Sequence, residues 1–402
     1  MSKIILHIDL NAFFVRCEEI KNPSLEGKPV IIGKTGRGGI VSTCSYAARE
    51  FGVHSGQPTY EALMKCKDAI VLDGDYHYYQ EKSHEFFNFI KKFTLLVEPA
   101  SIDECFADFT DVLKNEKDPI TFLKNMQKEL FKETKLRCSI GVAPTKFLAK
   151  MASDMKKPNG LTVIRRRDAR KMLSPLKIED FFGIGKKTSP RLREMGINTI
   201  GDLIKRIDNE DPQTKQELGK FYYVIKDWID GKGGDEINTE PFDPKSIGHS
   251  TTLLSDAVSV EELEKPLREL SKEVSDDAKK QNKKGKCVQL VLKDNQFKLI
   301  NRSKRLSVLT NEFEDIFNTA YKLLEQNYDG RPIRLIGVTL QQLKNPKETY
   351  EQLSIFDNYE QIEEENKTTL LIGDLNRAMK KSVFTTAGEH LRDKGNGTKR
   401  GK

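Results

Sequence analysis

Apolar and β-branched residues run from Ile4 to Leu10, broken only by His7 and Asp9, which predicts a short strand ending at an aspartate. The stretch Ala12-Phe13-Phe14-Val15-Arg16-Cys17-Glu18-Glu19-Ile20 has helical spacing, so a helix follows that aspartate directly. Two more short apolar runs, Pro29-Val30-Ile31-Ile32-Gly33 and Ile40-Val41-Ser42-Thr43, predict strands on either side of a glycine-rich turn at Gly36 to Gly39. Ser45-Tyr46-Ala47-Ala48-Arg49-Glu50-Phe51-Gly52 is helical in spacing and ends on a glycine stop. Helices are predicted over residues 77–97 and near 119–134, a strand through Asp103, and another over Leu136-Arg137-Cys138-Ser139-Ile140-Gly141-Val142. A helix capped by Thr145 follows and leads into the basic turn Met155-Lys156-Lys157-Pro158-Asn159-Gly160. Residues 168–230 read as helical, 231–245 as a Gly-, Asp- and Pro-rich linker, and strands alternate with helices again from 246 to 342. Past Lys344 the chain turns polar and is expected to be largely disordered.

With residues 11–76 set aside as a small α/β insertion, the first part of the chain reads β-α-β-β-α-β, the split ferredoxin-like arrangement. In that arrangement the first strand neighbours the central hairpin in an antiparallel sheet, which brings Asp9 beside Asp103 and Glu104. Adjacent strand residues face opposite sides, so a turn or bulge is needed to aim both Asp103 and Glu104 at one ligand. Taken alone the pair also reads as a solvated acidic turn. Asp9, arriving from another strand, turns the reading toward a divalent cation. Oxygen-only ligands suit Mg2+, and Tyr46, Arg49 and Lys157 could hold a triphosphate, Arg as a bidentate fork and Lys as a point charge. Three carboxylates with a basic cradle beside them are what two-metal phosphoryl chemistry requires.

Composition adds limits. A chain of 402 residues allows two to four domains. The overall charge, +7 from 67 basic and 60 acidic residues, says little, but between Ala278 and Arg305 ten Lys or Arg stand against Asp294 alone. Such a run points to a polyanion. The cysteines at 17, 44, 66, 105, 138 and 287 are scattered with no Cys-x-x-Cys pair, which argues against zinc and for reduced, buried thiols of a cytoplasmic protein. The apolar run after Lys3 is too short for a signal peptide, and no stretch approaches a membrane span, so no membrane is expected. Phe182-Gly183-Ile184-Gly185-Lys186-Lys187, followed by Arg191-Leu192-Arg193-Glu194-Met195-Gly196-Ile197, is a helix-hairpin-helix signal, whose glycines and free N–H groups can take a DNA phosphate. A plain helix-turn-helix corner is the alternative.

Four stretches carry a specific resemblance: His7-Ile8-Asp9-Leu10-Asn11-Ala12-Phe13-Phe14, Val41-Ser42-Thr43-Cys44-Ser45-Tyr46-Ala47-Ala48-Arg49, Ser101-Ile102-Asp103-Glu104 and Lys156-Lys157-Pro158-Asn159-Gly160-Leu161. With the hairpin at Gly183 and Ser246-Ile247-Gly248-His249-Ser250-Thr251-Thr252, they make the chain resemble the Y-family translesion DNA polymerases of bacteria, over roughly residues 3–343 in order. The resemblance implies an α+β multidomain fold. Its parts are a ferredoxin-like palm (1–10 and 77–166), small α/β fingers (11–76), a helical helix-hairpin-helix thumb (167–230), a linker (231–245), a second small α/β little-finger domain (246–345) and a flexible tail (346–402). It implies a DNA-directed DNA polymerase that extends a primer with dNTPs, at low fidelity and without proofreading, in the repair or tolerance of DNA damage. Asp103 and Glu104 would be catalytic, and Asp9, Asp103, Glu104 and the backbone carbonyl of Leu10 would hold two Mg2+ ions. Phe14 falls at the steric gate that excludes a 2′-hydroxyl, Thr43, Tyr46, Arg49 and Lys157 on triphosphate contacts, and Val41 and Ser42 on the roof over the nascent base pair. Small roof residues imply a pocket that checks shape poorly. Gly183, Gly185, Lys186 and Arg334 are the implied DNA contacts. Gln352-Leu353-Ser354-Ile355-Phe356 resembles the peptide that docks on a β-type sliding clamp, a Gln and large apolar anchors (Leu353, Ile355 and Phe356) on an extended strand. Partners are then primer–template DNA, dNTP and the clamp, for a monomer.

Two positions depart from the family pattern. Asn11 stands where many relatives carry an acidic residue, and Leu335 where a second arginine would follow Arg334. Two other classes compete. A palm-type nucleotide cyclase would share the carboxylates but would not need the hairpin, linker or basic final domain. A catalytically inactive DNA-binding or clamp-adaptor protein would keep those parts and lose the metal site.

Overall fold

The computed structural model describes residues 3–345, and the chain divides into two units between Asp243 and Pro244. The first unit opens with β1 (Ile5–Leu10) and α1 (Phe13–Lys21). Next come β2 (Val30–Gly33), β3 (Val41–Cys44), α2 (Tyr46–Glu50), α3 (Thr59–Lys65) and β4 (Ile70–Leu72), whose strands form a sheet in the order β3-β2-β4. The chain continues through α4 (Tyr76–Lys91), β5 (Val97–Pro99), β6 (Glu104–Asp108), α5 (Thr110–Leu113) and α6 (Pro119–Thr134). With β7 (Cys138–Ala143), α7 (Lys146–Met155) and β8 (Leu161–Val163) it completes a five-stranded sheet in the order β5-β6-β1-β7-β8. Its first four strands in chain order, β1, β5, β6 and β7, follow the ferredoxin-like pattern, with β1 between the hairpin strand β6 and β7.

Both faces of this sheet are covered. Leu6, Ile8 and Leu10 pack with Tyr79, Phe86 and Ile90 of α4 and with Leu123, Met126 and Leu130 of α6. On the other face Ile5 packs with Phe147, Leu148 and Met151 of α7. Burial from two sides leaves every residue of β1 but Asp9 buried, although apolar Leu6, Ile8 and Leu10 alternate with polar His7 and Asp9. α7 lies close to the sheet: a Cβ on Gly141 of β7 would stand 2.0 Å from the Ala149 carbonyl oxygen, so the crossing requires glycine there. Thr145 caps α7, its hydroxyl accepting from the Leu148 N–H at 3.4 Å.

The structure departs from the sequence pattern in three places. The helix expected over 77–97 ends at Lys91. Apolar residues continue at helical spacing beyond it, but Val97, Glu98 and Pro99 pair with Ala107, Phe106 and Cys105, and sheet pairing overrides the local pattern. The regular strand near Asp103 starts only at Glu104, which leaves Asp103 in the bend before it. β4 and β8 have no counterpart in the pattern. Each has three residues, too few for a periodic signal, and each is defined by a parallel partner, β2 and β7.

After β8 the first unit is helical: α8 (Ala169–Leu173), α9 (Ser189–Glu194), α10 (Ile200–Asp208), α11 (Pro212–Leu218) and α12 (Phe221–Ile229). These helices share one core with α7, where Trp228 stacks on Phe147 at 4.7 Å. The segment that follows is irregular but fastened. Lys146 N–H donates to the Gly234 carbonyl at 2.9 Å, and Asn238 N–H donates at 2.7 Å to Glu98, which Lys146 Nζ also reaches at 2.9 Å.

The second unit repeats the string β-α-β-β-α-β as β9 (Ser246–Ala257), α13 (Val260–Lys280), β10 (Gly285–Asp294), β11 (Leu299–Thr310), α14 (Phe313–Asn327) and β12 (Ile333–Gln341). Its strand order is β11-β10-β12-β9, so its first strand lies at an edge, where β1 of the first unit is central. Val288, Leu290, Leu292, Ile336, Val338 and Leu340 pack against the apolar stripes of α13 and α14. The basic run does not form one face. Arg302 stands opposite Leu290 and donates to Asn327 of α14, Arg305 stands opposite Cys287 and so on the other side of the sheet, and Lys279 at the end of α13 pairs with Glu312. Among the described residues no helix is long and apolar enough to cross a membrane.

Candidate active site

Asp9 reaches the site by strand parity. Along β1 the even positions enter the α4–α6 core, so His7 and Asp9 face α7 instead. Asp9 stands directly opposite Glu104 on β6 and opposite Ser139 on β7. One ligand atom each from His7, Asp9 and Glu104 lie within 4.8 Å of one another. Asp103 joins from the bend: its carbonyl accepts from Leu10 N–H at 2.9 Å, and its carboxylate accepts from Ser101 Oγ at 2.6 Å. Burial, and then the negative charges of Asp9 and Glu104, raise the Asp103 carboxyl above its usual range, against the Ser101 hydrogen bond.

α7 supplies two further groups that sequence reasoning did not single out. Lys150 Nζ lies 2.6 Å from Glu104 and 3.4 Å from Asp9. Burial works against its charge, but Asp154, Glu104 and Asp9 outweigh it and raise its pKa. Ser153 Oγ sits 2.8 Å from His7 Nδ1, while His7 Nε2 faces Glu104 at 3.4 Å without a well-formed hydrogen bond. Burial lowers the His7 pKa. The His7 ring and then the Lys150 ammonium hold the Glu104 carboxyl well below the usual carboxylate range. Signals for His7 and Lys150 were present: a histidine two residues before Asp9 shares its strand face, and Lys150 lies on the helix that covers that face. The donor set fits a hard divalent cation. The carboxylates of Asp9 and Glu104 converge with Asp103 in the bend just before Glu104, and the sulfur atoms of the nearest cysteines, Cys105 and Cys138, are buried in the opposite core.

On the insertion side, Ala12 takes a left-handed backbone at φ 44° and α1 starts immediately after it. Phe14 is stacked on Tyr79 at 4.4 Å and 13°, with Tyr76 edge-on at 5.7 Å. The Tyr79 hydroxyl donates to the buried Glu18 carboxylate at 2.7 Å, so the stack is anchored at its far end. Tyr46 is half-buried, with the Arg49 guanidinium 4.6 Å over its ring. Burial raises the Tyr46 hydroxyl pKa, against the positive charges of Arg49 and Lys157. Lys157 Nζ lies 2.8 Å from Asp9 and 2.7 Å from Asp154, and these carboxylates raise its pKa against burial. Thr43 is half-buried on β3, and Ser42 is exposed with its hydroxyl 3.4 Å from the Tyr76 hydroxyl. Val41, expected beside Ser42 on the roof, lies on the inner side of β3. It is 1% exposed in a core with Ile31, Cys44 and Ala48, and a register shift in the β2–β3 pairing lets Val41 and Cys44, three residues apart, enter the same core.

The expected DNA contacts stand on other elements. Gly183, Gly185 and Lys186 are exposed on the loop before α9, and the Gly185 carbonyl accepts from Thr188 and Ser189 N–H at 3.0 Å each. Gly183 has φ 97° and would place a Cβ 2.6 Å from the Phe221 ring, so this turn depends on glycine. In the second unit the Arg334 guanidinium lies 5.0 Å over the Phe297 ring. Gln352, Leu353, Ile355 and Phe356 lie outside the described residues.

Residues 8–154 match the impB/mucB/samB family, and residues 244–355 match the impB/mucB/samB family C-terminal domain. DNA polymerase IV of Oceanobacillus iheyensis is 38% identical over 387 residues, which cover 96% of this chain and 91% of that one. DNA polymerase IV 1 of Bacillus subtilis is 36% identical over 372 residues, 90% of this chain and 88% of its own. Among solved structures, the Y-family DNA polymerase chimera Dbh-Dpo4(243-245)-Dbh is 28% identical with a TM-score of 0.73, covering 84% of this chain and 98% of that one. The insertion ternary complex of Dbh DNA polymerase is 27% identical with a TM-score of 0.58, over 85% of this chain and 99% of that one.

Proposed function

The chain belongs to the impB/mucB/samB family, the Y-family DNA polymerases, and on that premise we propose which of its residues carry the chemistry. It is a low-fidelity DNA-directed DNA polymerase that depends on a divalent metal. Asp9, Asp103 and Glu104, with the Leu10 carbonyl, are the groups that hold two Mg2+ ions. Bound there, the ions supply an activated primer 3′-hydroxyl and charge compensation on the departing pyrophosphate. Arg49, Tyr46, Thr43 and Lys157 grip the triphosphate and set its α-phosphate in line for the 3′-hydroxyl. Phe14, held flat by Tyr79, closes the space a 2′-hydroxyl would need. Ser42 covers the base pair with a small side chain, and a loosely fitting roof discriminates by only about 1–3 kcal/mol.

We assign residues 1–10 and 77–166 to the palm, 11–76 to the fingers, 167–230 to the thumb and 246–345 to the little finger. Primer–template DNA is gripped through the Gly183–Lys186 loop and Arg334, a dNTP is the second substrate, and the Gln352–Phe356 motif docks a β-type sliding clamp. The chain acts as a monomer in the bacterial cytoplasm. One observation carries the reading: Asp9 stands opposite Glu104, with Lys157 Nζ 2.8 Å away, so carboxylates and a phosphate-binding cation from distant parts of the chain meet at one point. In primer-extension assays Asp103→Ala and Glu104→Ala are each expected to lower the rate by about a thousandfold or more while primer–template affinity stays near wild type. Extension by either variant at the wild-type rate would remove these carboxylates from the reaction.

A further inference from the structure

Asn11 is 6% exposed and directly follows the strand end that carries Asp9. Its side-chain amide is engaged at both its oxygen and its nitrogen. Oδ1 accepts from the Asn159 N–H at 2.7 Å, and Nδ2 donates to Ser139 Oγ at 2.9 Å. A backbone N–H can only donate, which fixes the amide orientation. Its own N–H donates to the Arg137 carbonyl at 2.7 Å, so the residue cannot shift to follow the loop. Asn159 lies two residues after Lys157 and is left-handed at φ 59°, and Gly160 beyond it leaves no room for a Cβ, which would fall 1.7 Å from the Lys156 carbonyl oxygen. Ser139 Oγ also lies 3.4 Å from the Gly160 N–H, and Gln127 Nε2 donates to the Gly160 carbonyl at 3.3 Å. The loop therefore has one seat on the sheet, and Asn11 is its link to the strand of Asp9. Next to this link is a cavity of about 100 Å³ lined by Asn11, Tyr46, Pro158 and Asn159 among others. A loop released from Asn11 has room to settle there.

We propose that Asn11 is a positioning residue for nucleotide binding: its side-chain amide holds the 156–160 loop so that Lys157 faces the dNTP triphosphate. Lys157 Nζ bridges Asp154 at 2.7 Å on its own chain segment and Asp9 at 2.8 Å across it, a position that a shift of the loop would lose on the Asp9 side first. The proposal rests on the reading of Lys157 as a triphosphate contact. An acidic residue at this position could do the same work. One carboxylate oxygen accepts from the Asn159 N–H, and the other accepts from Ser139, whose hydroxyl turns from acceptor to donor.

Single-turnover dNTP titrations on Asn11→Ala, Asn11→Asp, Lys157→Ala and the Asn11→Ala/Lys157→Ala double variant test this. Asn11→Ala should weaken apparent dNTP affinity about tenfold, the effect of one buried hydrogen bond, with the maximal rate changed by no more than about twofold. Asn11→Asp should recover most of that loss, and in the Lys157→Ala background Asn11→Ala should add little. Full, multiplicative losses in the double variant, or equal losses in Asn11→Ala and Asn11→Asp, would overturn the role of Asn11. Unchanged dNTP affinity in Lys157→Ala alone would overturn the reading of Lys157 itself, which is a separate result.

Discussion

At the scale of single residues, strand parity decides what enters the site. Asp9 and His7 share a face of β1, and Glu104 shares a face of β6 with Phe106, whose ring lies tilted against His7 at 4.7 Å. Asp9, Asp103 and Glu104 were legible as a set because the order of strands and helices implied which strands would be neighbours. His7 and Lys150 left only a positional signal and Ser153 none, because their relevance depends on how α7 crosses the sheet, and that crossing is set by contacts such as the one at Gly141. The burial of Val41 was not legible for a related reason: in a four-residue strand the inward position is chosen by the small core it meets. Phe14 shows how a neighbour sharpens a role. Stacked on Tyr79, whose hydroxyl is tied to Glu18, its ring has little freedom to move aside for a 2′-hydroxyl. Phe14→Ala is expected to raise ribonucleotide insertion relative to deoxynucleotide insertion by about a hundredfold, the scale on which a pocket senses one hydroxyl. Single-nucleotide insertion with paired rNTP and dNTP measures it, and an unchanged ratio would place the gate elsewhere.

At the scale of elements, long periodic segments were readable and short or pair-defined ones were not. α6 and the Thr145 cap follow from local pattern, whereas β4 and β8 exist only because parallel partners lie beside them. The overlong helix expected over 77–97 fails at the point where a hairpin partner becomes available to Val97. The helices after β8 depend on their starts. At α10 Thr199 and Asp202 form a reciprocal capping box, and at α11 Asp211 accepts from the Thr214 N–H at 2.9 Å. The hydrogen bonds from Thr199 to Asp202 and from Thr214 to Asp211 hold both carboxyls below their ordinary value of 3.8. Groups lowered in the folded state stabilise fully above the unfolded value, and that contribution is lost as pH falls through the folded one. The melting temperature should therefore drop as pH falls below about 3.8. An Asp202→Asn/Asp211→Asn variant, which cannot titrate at these caps, should drop less over the same interval. Parallel pH dependence in circular-dichroism melts of the two proteins would contradict this account of the caps.

At the scale of the whole molecule, the chain uses the string β-α-β-β-α-β twice and folds it with two strand orders, one with its first strand central and one with it at the edge. Hydrophobic pattern alone does not separate these outcomes, since both depend on which strand closes the sheet. The central strand of the first unit is the one that carries Asp9. The basic run also changed meaning at this scale: its cations are divided among a helix end, a turn and both sides of a sheet. Steep loss of DNA affinity with salt would then reflect the sum of dispersed contacts and not one stripe. Clamp docking belongs here too. Leu353→Ala with Phe356→Ala is expected to remove most stimulation of synthesis by a β-type clamp, because both apolar anchors are lost. Equal stimulation of the variant and the wild type would contradict that motif.

The most direct test of the central claim is extension of a primer across a single template lesion by the full-length chain, with Mg2+ and dNTPs, scored against the undamaged template. The account predicts templated extension on both strands, with products continuing past the lesion. Arrest before every lesion tested, or no templated extension on either strand, would contradict it.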